Sequence, residues 1–162
     1  MSCGALILCL FGGVDARAQV INAQTANTTN AAGEIRLIPQ PKQLTPTGET
    51  FRLTRDVRLA LADARSADDR FAVEDFAADV RETAGGLALP VGRPRARRTI
   101  LVGALQLPAV AAALKRANLN APPDLNEEGY VLSISAGEVV VAGKTAAGTF
   151  YGLQTLKQLM RG

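Results

Sequence analysis

Residues 128–162 read EGYVLSISAGEVVVAGKTAAGTFYGLQTLKQLMRG, and this stretch decides the fold. Its first part alternates. Tyr130, Leu132 and Ile134 face one way and Val131, Ser133 and Ser135 the other, the period-2 pattern of a half-buried strand. Ala136-Gly137 is a break of hairpin type, where glycine tolerates a left-handed backbone. Residues 138–142 form a second, β-branched strand that Gly143 ends. Thr145 then suits the cap of a helix. In that helix Thr149, Leu153, Leu156 and Met160 recur at helical spacing, flanked by Phe150 and Leu159, which makes one apolar face. The stretch predicts a hairpin, a tight turn and a helix that lies back on the sheet.

Upstream, residues 35–38 predict a short strand that Pro39 and Pro41 stop. Residues 45–50, around Pro46 and Gly48, are a turn region. Residues 51–53 and 57–61 alternate as strands, broken at Thr54-Arg55-Asp56. Ser66 caps a helix that reaches Thr83, with Asp68 and Asp69 in the first turn, where the helix dipole favours negative charge. Ala72, Phe76, Val80 and Ala84 form its buried row, beside Val73 and Ala77, and Gly85-Gly86 ends it. Residues 87–91 predict a strand, 93–98 a basic loop, and 99–102 a strand of the buried type. Residues 107–117 predict a short Ala-rich helix with Pro108 in its first turn, followed by a loop over 118–126. The order predicts an α+β fold: a mixed, mainly antiparallel sheet with helices packed on one face, a two-layer sandwich.

The 162 residues suffice for one domain with a core. Aromatic residues make up 4% and Trp is absent, which disfavours a sugar-binding platform built on ring stacking. Tyr130 and Tyr151 sit inside patterned elements and read as core or edge packing. Residues 1–18 read as a secretory signal: an apolar run over 5–11, Gly12-Gly13, then Ala16-Arg17-Ala18 as a small-x-small cleavage site before Gln19. No Lys or Arg precedes the run, and it is too short to span a bilayer. An exported chain, periplasmic or extracellular, is the expectation. Residues 19–34 are polar and read as a flexible leader, leaving 35–162 as the folded domain. Cys3 and Cys9 both lie in the signal, so a chain starting at Gln19 has no disulfide, thiol nucleophile or Cys-based metal site. Histidine is absent, which removes Ser-His-Asp and Cys-His catalysis and the commonest zinc ligand. No metal and no cofactor are expected.

Two separated blocks carry a family resemblance. Glu128-Gly129-Tyr130, Thr145-Ala146-Ala147-Gly148, Phe150 to Leu156 and Gln158-Leu159 form the first, and Ile38-Pro39-Gln40-Pro41-Lys42 with Thr50-Phe51-Arg52-Leu53 the second. In this order they resemble the N-terminal, non-catalytic domain of bacterial β-N-acetylhexosaminidases, the family-twenty glycoside hydrolases. Similar domains precede the barrels of other glycosidases, including family-eighty-four hexosaminidase-like enzymes. The resemblance implies an α+β sandwich that packs against a catalytic (β/α)₈ barrel, a domain this chain does not contain. It also implies amino-sugar glycans as substrates of the parent enzyme.

In that family a Glu of an adjacent Asp-Glu pair protonates the leaving group. The substrate's acetamido oxygen attacks the anomeric carbon and the Asp orients it, the substrate-assisted exception to the two-carboxylate scheme. No Asp-Glu dipeptide occurs here, so no catalytic residue carries over. The adjacent acids that do occur are Asp68-Asp69, Glu74-Asp75 and Glu127-Glu128, and all three read as solvated charges. Arg93, Arg95, Arg97 and Arg98 invite a nucleic-acid reading, but the net charge is only +3 and no aromatic is interleaved, so a solvated loop is expected and no nucleic-acid partner. Gly143-Lys144-Thr145 lacks the upstream glycine of a phosphate loop. The expectation is an inert ancillary domain. The readings set against it are a free-standing module for amino-sugar polymers and the ancillary domain of another exported glycosidase.

Overall fold

The computed structural model describes residues 8–9, 37–92 and 98–161. The leader, most of the signal and Arg93, Arg95 and Arg97 of the basic loop lie outside the described residues. The strands are β1 (Leu8–Cys9), β2 (Gln43–Leu44), β3 (Val57–Leu61), β4 (Val91–Gly92), β5 (Arg98–Ala104), β6 (Tyr130–Ile134) and β7 (Glu138–Gly143). The helices are α1 (Ala67–Thr83), α2 (Pro108–Arg116) and α3 (Ala146–Arg161). The strands form one sheet in the order β2-β1-β6-β7-β5-β3-β4.

The fold is α+β with a mixed sheet, but the sheet is mostly parallel, which corrects the expectation of a mainly antiparallel one. β3 and β5 run parallel from Val57↔Arg98 to Leu61↔Val102, and β5 and β7 from Thr99↔Glu138 to Ala104↔Gly143. β4 also lies parallel to β3. Among the longer strands only the predicted hairpin is antiparallel, with Tyr130 opposite Gly143 and Ile134 opposite Val139. The cause is the connections. A crossover of a dozen or more residues returns the chain in the same direction, and α1 supplies it between β3 and β5. Alternation within a strand carries no information on that direction.

The helices cover both faces of the sheet, which corrects the two-layer, one-face expectation. One core joins Val73, Phe76 and Val80 of α1 and Leu153 and Leu156 of α3 to Leu59, Ile100, Leu132 and Val141. The second joins Val110, Ala113 and Leu114 of α2 to Ala60, Leu101, Val131 and Val140, closed by Leu119 and Leu125 from the following loop. Successive strand residues point to opposite faces, so the continuous apolar runs of β5 and β7 need cover on both. For the same reason β6 is not half-buried: Val131 and Ser133, read as the wet side, are 0% and 2% exposed. Each fully buried Leu, Ile, Val or Phe side chain contributes roughly 1.5–3 kcal/mol.

α1 begins as predicted, with the Ser66 hydroxyl accepting from the Asp69 N–H at 3.1 Å, and Gly85 and Gly86 end it in the left-handed region. Residues 51–53 pair with no strand. Phe51 and Leu53 are half-buried against the first core all the same, so their alternation records packing rather than a ladder. Residues 87–91 likewise shrink to the two-residue β4, with Leu89 buried. Leu37 is buried in loop where a strand was expected, and residues 35 and 36 lie outside the described residues.

α3 lies unusually close to the hairpin because glycines face it. A Cβ on Gly152 would stand 2.6 Å from Val141 Cγ1, and one on Gly148 would stand 2.3 Å from the Gly129 carbonyl oxygen. The Tyr130 hydroxyl, fully buried, shares a short hydrogen bond with Thr155. Thr145 donates its hydroxyl to the Glu127 carbonyl at 2.6 Å and so ties the helix start to the strand entry.

Candidate functional site

Two of the three adjacent acid pairs lie on α1 and the third just before β6. Asp68 is exposed, whereas Asp69 is 4% exposed at the first turn of α1, with Oδ1 lacking a hydrogen-bond partner among the described residues. Glu74 is exposed, while Asp75 accepts from the Lys157 ammonium at 2.7 Å and the Gln154 amide at 3.3 Å. Those bonds, first that from Lys157, hold the Asp75 carboxyl below the usual carboxylate range against the opposing effect of burial. Glu127 and Glu128 are both exposed. The expectation of solvated charges therefore holds for Asp68, Glu74, Glu127 and Glu128 and fails for the buried Asp69, while Asp75 is partly exposed and paired. Among the described residues no group of three or more His, Cys, Asp or Glu is placed to hold a metal ion, and no helix is long and apolar enough to cross a membrane.

Of the basic loop only Arg98 is described. It donates to the Arg52 carbonyl at 3.3 Å and the Thr54 hydroxyl at 3.4 Å, which makes it a brace for the turn before β3.

An open groove of about 780 Å³ lies between the 46–53 loop and the last turns of α3, lined by Phe51, Leu53, Leu156, Leu159 and Met160 among others. Its one carboxylate, Glu49, accepts from the Ala136 N–H at 3.1 Å. With a single acid, already engaged, the groove has no acid and base pair to flank a glycosidic bond.

The surface that stands out is the outer side of α1 and α3. Among the described residues the large exposed hydrophobics are Ile38 (82%), Phe71 (66%), Tyr151 (43%) and Val91 (41%), with Phe71 on α1 and Tyr151 on α3. Phe71 is on α1, one turn before Asp75. Tyr151 is on α3, one turn before Gln154. The Asp75–Lys157 pair and the Gln154 bond bridge the two helices. Ile38 is fixed against α3 by Gln158, which accepts from its N–H at 3.0 Å and donates to its carbonyl at 2.9 Å. Phe150 packs on the core and meets the Tyr151 ring edge to face, centroids 5.9 Å apart, which sets the outward ring. Of the two tyrosines Tyr130 is core, while Tyr151 is a surface ring on an otherwise polar side. Sequence reading passed over Phe71, although its place one residue off the Ala72-Phe76-Val80 row was the available signal.

Residues 34–162 match the family described as glycosyl hydrolase family 20, domain 2. A Beta-hexosaminidase of Porphyromonas gingivalis is 30% identical over 128 residues, 78% of this chain and 14% of that protein, so the chain spans a small part of its relative's length. Among solved structures, a GH138 enzyme targeting pectin rhamnogalacturonan II overlays 65% of this chain and 10% of that one, at 20% identity and a TM-score of 0.44.

Proposed function

The chain belongs to the glycosyl hydrolase family 20, domain 2 family, and on that premise we propose that it is the ancillary, non-catalytic N-terminal domain of an exported β-N-acetylhexosaminidase. Terminal N-acetylhexosamine residues are hydrolysed by a (β/α)₈ barrel elsewhere in the parent polypeptide, and this domain packs against that barrel and holds it. The family match over 34–162 carries the reading. Export rests on the apolar run and small-x-small site of residues 1–18. The nucleotide sequence beyond the Gly162 codon tests the proposal: a barrel with an adjacent Asp-Glu pair is expected, and a stop codon or an unrelated domain would overturn it.

The exposed rings of Phe71 and Tyr151 favour one second reading, a free-standing module for amino-sugar polymers, because sugar rings stack on such faces. Retention of the 162-residue chain on chitin beads would support that reading, and passage through them unretarded would remove it.

A further inference from the structure

We propose that the sheet has a strand slot between β2 and β6 which the secretory signal fills in the unprocessed chain, so that folding conceals the signal and its removal opens the β6 edge. The inference rests on the reading of residues 1–18 as a signal and adds what that segment does to the domain. The two sides of the slot are of different kinds. β2 is two residues long and is preceded by Pro39, Pro41 and Lys42, residue types that blunt a true sheet edge. β6 has no such device. Its five residues carry no charge and no proline, and Tyr130, Val131 and Leu132 are fully buried, Val131 in one core and Leu132 in the other. A strand of that composition calls for a partner on both sides. β7 takes one side. On the other, Leu8 stands opposite Leu132, and across from β6 it stands opposite Leu44, with Cys9 opposite Gln43.

The occupant suits the slot. Residues 5–11 read ALILCLF, apolar throughout, uncharged and free of proline, the composition of a segment that adds readily to an open strand. The property that marks this run as a signal is also the one that lets it pair, so export and the sheet compete for the same residues. A folded precursor is for that reason a poor export substrate, and cleavage after Ala18 takes the filling strand away with the rest of the signal.

Hydrogen–deuterium exchange of the 162-residue chain tests it, with the peptide over 130–134 as the readout and that over 108–116 in α2 as the reference. Leu8→Pro removes a backbone N–H from the slot and disfavours the strand there. Exchange of 130–134 is expected to quicken about tenfold in that variant, and as much in the processed chain recovered from an exporting bacterium, while 108–116 stays as it was. Equal exchange of 130–134 in all three chains overturns the slot. Quickening over both segments, or loss of the fold on processing, makes the strand a support of the whole domain and overturns it too. A recovered chain that retains residues 8–9 overturns the signal reading and this inference together. One that lacks them and still exchanges 130–134 as slowly as the full chain overturns the inference and leaves export standing.

Discussion

Gly148→Ala tests a close backbone approach between α3 and the start of the hairpin. The added methyl would sit 2.3 Å from the Gly129 carbonyl oxygen, 3.1 Å from the Gly129 carbon and 3.2 Å from Gly143 Cα. All three are backbone atoms, and the Gly129 carbonyl already accepts from the Lys144 N–H at 2.9 Å, so relief requires α3 to move by about 1 Å or that turn to open. Overpacking of this kind costs about 1–3 kcal/mol. Losing the turn bond adds about 1 kcal/mol. The better helix propensity of alanine offsets about 0.8–1 kcal/mol. The net is a loss of about 1–3 kcal/mol, which at roughly 4 °C per kcal/mol lowers the melting midpoint by about 4–12 °C. Far-UV circular dichroism on heating reads it, with Gly137→Ala as control because a Cβ there meets nothing within 4 Å. An unchanged or raised midpoint for Gly148→Ala would refute the reasoning, since an unobstructed Gly→Ala change within a helix stabilises.

Other expectations follow from the same contacts. Tyr130→Phe removes one partner of a buried hydroxyl pair and should cost about 1–2 kcal/mol, read by urea unfolding with an unchanged slope; no loss would mean that Thr155 is satisfied without it. Ser66→Ala should cost about 1 kcal/mol through the lost α1 cap, and Ser66→Asp should restore most of it. Asp75 has its carboxyl held below the ordinary value of 3.8, so its contribution is present above about pH 4 and is lost as pH falls through the folded value. The Asp75 side chain is 41% exposed, so screening keeps that contribution below about 1 kcal/mol. Asp75→Asn should therefore flatten the acid limb of a stability profile slightly and leave pH 7 and above parallel to wild type; an unaltered acid limb would count against the pair.

Much of the fold was legible in residues 130–161, because alternation marks a hairpin and an i, i+4, i+7 row marks the inward side of a helix. Val57–Leu61 and the Ser66 cap were equally plain. Strand direction was not, since it is settled by the crossover through α1 and leaves no trace in the pleat. The second covered face had a signal. Val139-Val140-Val141-Ala142 is apolar at every position, as a strand covered on both sides must be, and Val110, Ala113 and Leu114 supply the matching helix face. Residues 51–53 and most of 87–91 were misread because half-buried loop residues alternate as strands do. Lys157, 8% exposed, was hidden because its partner Asp75 is distant in sequence and on another helix. The exposure of Phe71 was hidden for a simpler reason: a lone Phe one residue off the buried row of α1 is shown to be uncovered only once the packing of the helix is known.

The proposed lack of chemistry in this domain can be measured by incubating the purified 162-residue chain with a chromogenic N-acetylglucosaminide. Release no faster than in a blank without protein is expected. Turnover above the blank that Asp69→Asn or Asp75→Asn abolishes would contradict it and place a catalytic carboxylate on α1.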